Sequence, residues 1–145
     1  MYTGLLHLHH WLPFVYLLLM LAVLVQNFLV WKSDNAFTDK LARQNKIALI
    51  LTHLQVTIGL IMLFGFHFDQ FEDMGSLMQN ADSRFKFVEH PMTMIIAAVL
   101  ITIGNAKSKR GTTDVKKARP VVVWFGIGLL LIALRLPWEA FLQGA

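Results

Sequence analysis

From Trp11 to Trp31 the chain is almost entirely Leu, Val, Phe, Met and Ala, and an uninterrupted stretch of that length belongs in the hydrocarbon of a bilayer. No water is available there to satisfy backbone N–H and C=O groups, so the run must be a helix. The two tryptophans lie about one bilayer thickness apart, like interfacial anchors. Three more apolar runs follow: Ile47 to about Phe66, Ser83 or Phe87 to about Ala106, and Pro120 to Leu136, where Pro137-Trp138 stops it. Pro91 stands either in the first turn of the third run or at a kink within it. The expected fold class is all-α, an integral membrane four-helix bundle with up-down-up-down topology, forming a single domain over residues 1–145.

Charge placement orients the bundle. The connections 32–46 and 107–119 hold most of the Lys and Arg, whereas the N-terminal residues and 67–82 hold few. The positive-inside rule puts the basic connections in the cytoplasm and both termini on the outer, periplasmic side of an inner membrane. Residues 67–82 are acidic, yet Phe68, Phe71, Met74, Leu77 and Met78 recur at nearly helical spacing. That pattern fits a short amphipathic helix on the membrane surface or a plain loop. The formal net charge of +4 is explained by topology and calls for no nucleic-acid partner. With 56% hydrophobic and 15% charged residues, neither a soluble domain nor a disordered tail is expected. Met1-Tyr2-Thr3-Gly4 lacks a positive n-region, and no small-residue cleavage site follows, so the first run is expected to remain as a span.

Several chemistries have no support. Without cysteine there is no disulfide, thiolate metal site, iron–sulfur cluster or c-type haem attachment. There is no Gly-rich phosphate loop, nucleophile elbow or carboxylate pair at catalytic spacing.

The histidines remain. His7, His9, His10, His67 and His90 are brought to one face of the membrane by the topology, and His53 lies deeper in the second span. The first and third spans can lie diagonally across the core, so that His90 and one of His7 or His9 grip a flat cofactor between them. A b-type haem needs two such imidazoles and space for the ring. Ala97 and Ala98 below His90 are expected to give that space, Met94 is an alternative soft ligand, and Arg135 could pair with a propionate. Glu89 beside His90 would fix its tautomer or exchange protons with it. His53, flanked by Thr52, Gln55 and Thr57, is expected to face the core, to bind a quinone headgroup, to relay protons, to ligate a tilted haem, or to hydrogen-bond Gln26 or Thr102. His7, His9 or His10 with His90 and Glu89 could instead hold copper or zinc, with Met92 or Met94 favouring Cu(I).

Met1-Tyr2-Thr3-Gly4-Leu5-Leu6-His7-Leu8-His9, Thr52-His53-Leu54-Gln55, Val88-Glu89-His90-Pro91, the stretch Ile101 to Lys109 and the closing Pro137-Trp138 together resemble the small four-helix membrane proteins usually labelled cytochrome b. The likeness covers nearly the whole chain. It implies that His7 or His9, His53 and His90 are the family-typical histidines, while His10 and His67 are particular to this sequence. The leading expectation is a membrane electron-transfer protein with one haem b near the outer face, exchanging electrons with quinone. The alternatives are a haem-free accessory subunit, with Gly59, Gly65, Gly126 and Gly128 facing other membrane subunits or a second copy, and a copper-handling membrane protein.

Overall fold

The computed structural model describes residues 1–139. Its long elements are α1 (Tyr2–Lys32), α2 (Asp39–Phe66), α4 (Ala81–Lys109) and α5 (Asp114–Arg135), all four long and apolar enough to cross a membrane. Between α2 and α4 lie a 3₁₀ turn, Phe68–Phe71, and the short α3, Met74–Gln79. The amphipathic pattern of this stretch thus makes helix. Asp73 caps α3 by accepting from the amide and hydroxyl of Ser76, at 3.0 and 2.7 Å, and these bonds hold its carboxyl below the usual acidity range.

The helices extend beyond the apolar runs. α1 begins at Tyr2 rather than near Trp11 and measures roughly 46 Å, longer than the hydrocarbon of about 30 Å. α2 starts at Asp39, capped by Thr38, and α5 at Asp114, capped by Thr113, whose side chains accept from Leu41 and Lys116 amides, each at 3.2 Å. Pro120 is therefore inside α5, in its second turn, and does not open it. Hydropathy marks where a helix meets lipid, whereas capping residues in water decide where it starts.

Pro91 is accommodated by a local change of pitch. Residues Phe85–Glu89 form a π-turn, and the His90 amide donates to the Phe85 carbonyl, five residues back. A proline ring crowds the carbonyl four residues before it and offers it no N–H. The widened turn absorbs both effects within an unbroken helix.

α1 packs against α2 and α5, and α4 packs against the same two helices, so α1 and α4 face each other across the bundle. The buried residues of α1 are Pro13, Tyr16, Met20, Val23, Asn27 and Val30, those of α5 Ala118, Val121, Phe125, Gly128 and Ile132. Both sets step by three and four alternately. This seven-residue seam suits helices packed at a shallow angle. Close approach comes from small residues: a Cβ on Gly104 would lie 2.7 Å from Trp124, and one on Gly128 would lie 2.8 Å from Ile101. Gly128 thus faces α4 within the chain, and among the described residues no side chain lies within 4 Å of such a Cβ on Gly65 or Gly126.

Several polar side chains inside the spans are satisfied locally or in pairs. Asn27 and Asn45, both fully buried, exchange amide bonds at 2.8 and 3.4 Å. The hydroxyls of Thr52, Thr93 and Thr102 donate to carbonyls four residues back.

Candidate functional site

Pro13 sets the first piece of the site. It lies inside α1 and has no amide hydrogen, so the His9 carbonyl loses its helical partner. Gln55 on α2 reaches across and donates its side-chain nitrogen to that carbonyl at 2.7 Å. A carbonyl only accepts, so the Gln55 atom facing it must be the nitrogen, and the same NH₂ lies 3.1 Å from Nδ1 of His9. Nδ1 is therefore an acceptor, and neutral His9 carries its proton on Nε2. The ring rests on Gly59, where a Cβ would come within 3.0 Å of Cε1. Gly59 makes room for His9 within the chain.

His90 is wired the opposite way. Its Nδ1 lies 2.8 Å from the carbonyl of Arg135, at the last turn of α5. Nδ1 must donate there, and Nε2 of neutral His90 keeps its lone pair, the arrangement typical of a metal-bound imidazole. Glu89 does not set this tautomer. It accepts from Arg84 at 2.9 Å and pairs with Arg135 at 3.3 Å, which occupies the Arg135 guanidinium.

The two rings meet edge to face, with centres 6.5 Å apart and planes at 82°. Both line a largely apolar cavity of about 530 Å³, within the range of small-molecule sites. Tyr2, His10, Tyr16, Gln55, His67 and Met94 share this lining. The Tyr2 hydroxyl is 3.0 Å from Nε2 of His67. Deeper in, the Tyr16 and Thr52 hydroxyls are 3.1 Å apart; the Thr52 proton goes to the Ala48 carbonyl, so Tyr16 donates. Oε1 of Gln55 is buried without a hydrogen-bond partner.

Comparison with protein-family models, curated proteins and solved structures finds no match for the chain. Sequence and structure together show a small all-helical protein of four long apolar helices, consistent with a multi-span membrane protein.

Of the candidate residues, the fold unites His9 and His90, with Glu89 and Arg135 behind His90. His7 is exposed and lies away from the cavity. His53, expected to face the core, is exposed on the outside of α2. Its Nε2–H donates at 3.2 Å to Thr102, whose own proton goes to Ala98, and this is the Thr102 bond that was among its expected roles. Ala97 and Ala98 do not line the cavity; Ala97 sits against Gly128 instead. Pro13, Tyr16 and Gln55 are the residues that reading by histidine missed. A proline four residues after a histidine in a span was the available signal.

Haem can be tested against this geometry. Two imidazoles bound end-on to one metal at about 2 Å each would have centres roughly 6 Å apart; the spacing seen is close to that, and one ring has to turn from the edge-to-face contact for both Nε2 atoms to reach one metal. The surrounding cavity is apolar, and His90 presents the right tautomer. As wired, His9 presents an Nε2–H and no lone pair there, because the Gln55 nitrogen faces both its carbonyl and Nδ1; ligation by His9 requires its proton on Nδ1 and that ring edge turned away from Gln55. For copper or zinc the fit is poorer, because no group of three His, Cys, Asp or Glu side chains gathers among the described residues.

Proposed function

We propose that the chain is an inner-membrane electron-transfer protein that holds one b-type haem between His9 and His90. The bundle runs up-down-up-down, with the His9–His90 end and both termini outside and the two basic connections in the cytoplasm. The observation that carries this reading is the facing pair of anchored imidazoles on a cavity of about 530 Å³. The resemblance to the small proteins labelled cytochrome b points the same way. When bound, the haem supplies one-electron chemistry.

The chain's residues orient the imidazoles and keep water out. The Arg135 carbonyl fixes His90, and Gly59 gives the His9 ring its seat. The absorption spectrum of protein expressed with ample haem tests the proposal. A Soret band is expected that is lost in His90→Ala and His9→Ala and kept in His7→Ala and His53→Ala. A colourless wild type would sink it.

A second reading rests on the opposite tautomers. As wired, His9 is an N–H donor and His90 an acceptor, a pair suited to a quinone or quinol headgroup with its tail in the apolar cavity. Quinone co-extracted with a colourless protein, and lost in Gln55→Leu, would favour this reading over haem.

A further inference from the structure

At the end away from the histidines, ten of the chain's 13 Lys and Arg lie in residues 32–46 and 107–119, beside Asp34, Asp39 and Asp114 alone. Among the described residues none of these cations forms an ion pair; the pairs found are those of Glu89. Some are held by rings instead. The Arg119 guanidinium lies 5.8 Å from the Trp31 ring centre, with the Lys32 amine 4.2 Å above it, and the Lys107 amine lies 5.9 Å from Trp124.

Lys116, Arg119, Pro120, Val123 and Trp124 line an open groove of about 360 Å³. They fall at spacings of three, four, seven and eight along α5 and so share one face. Away from the connection this face continues as an exposed ladder, Val123, Ile127, Leu130 and Leu134, at 39%, 45%, 58% and 66% exposure. Going down the helix, the order is two unpaired cations, an indole, and then apolar rungs. A phospholipid has the same order: charged headgroup, glycerol backbone, acyl chain.

We propose that this groove seats the headgroup of an anionic phospholipid, with its phosphate between Lys116 and Arg119 and one acyl chain along the ladder. A zwitterionic headgroup would bring its own cation into a region that already has a surplus of them, so the site selects for net negative charge. The ladder distinguishes a lipid from free phosphate, which has nothing to lay along it. This site is independent of whatever occupies the histidine cavity.

Native mass spectrometry of the full chain, with phosphatidylglycerol and phosphatidylcholine of equal acyl length, tests the proposal. Retention of the anionic lipid is expected at about tenfold lower concentration. The Lys116→Gln/Arg119→Gln variant should lose that preference, while Lys40→Gln/Arg43→Gln, which removes the same charge at the same end, should keep it. Equal loss in both variants would show diffuse attraction and overturn the site, as would the absence of any preference in the wild type. Displacement of the lipid by equimolar inorganic phosphate would overturn the role of the ladder. Helicity measured by circular dichroism accompanies each variant; should the groove pair unfold, Arg119→Gln alone is read, and an unchanged preference there counts against the site.

Discussion

Pro13 and Gln55 form a coupled pair although they touch through a third residue. Proline withholds an N–H from the His9 carbonyl, and glutamine replaces it from the neighbouring helix at 2.7 Å. Removing Gln55 alone leaves a partly buried carbonyl unpaired. Gln55→Leu is therefore expected to cost about 1–2 kcal/mol in detergent unfolding titrations. In a Pro13→Ala background the helix regains its own bond, and the cost should fall by at least half. Equal costs in both backgrounds would show that Gln55 does not act through that carbonyl. Only part of this arrangement could be read in the sequence. His90 stood out because ionisable side chains are rare in apolar spans, whereas its partner stayed open between His7 and His9. Gln55 looked like an accompaniment to His53, since neighbours in sequence point to different sides of a helix and no periodic signal said which side faced inward.

That ambiguity has its cause in the helices as elements. In a soluble bundle, polar residues mark the outer face, but here Leu18, Val25, Ile50 and Leu134 face outward and are as apolar as the core. Helix number and approximate position were legible because lipid demands long apolar runs. Helix starts and facing were not. The inward seam is written in small and polar residues such as Asn27, Asn45, Ala48, Gly104 and Gly128, which is how membrane helices pack closely when hydrophobicity cannot drive them together. Glycines should accordingly differ in tolerance. Gly104→Ala and Gly128→Ala each place a Cβ within 2.8 Å of a neighbour and should destabilise by about 1–3 kcal/mol. Gly126→Ala, whose Cβ would meet no neighbouring element within 4 Å among the described residues, should be neutral or stabilise slightly through helix propensity. Thermal unfolding of the three variants in one detergent gives the comparison, and equal losses would mean that α4 and α5 do not meet along this seam.

For the whole molecule, charge and ligand chemistry are segregated to opposite ends. The histidine end carries Asp69, Glu72, Asp73, Asp82, Glu89 and Glu139 against Arg84, Lys86 and Arg135, while the other end holds the cationic surplus. Across a bilayer this asymmetry sets orientation, because translocating Lys and Arg is disfavoured. The chain contains no cysteine, so single introduced thiols report position without background. Gln79→Cys, next to the histidine end, should react with a membrane-impermeant maleimide in intact cells. Thr112→Cys, in the basic connection, should react only after permeabilisation. Replacing Lys107, Lys109, Arg110, Lys116 and Lys117 by Gln should mix the two outcomes, because the remaining bias rests on the first connection alone. Labelling of Thr112→Cys but not Gln79→Cys in intact cells would place the histidine cavity on the cytoplasmic side, and the proposed electron-transfer role would then require soluble cytoplasmic proteins or membrane quinone as partners.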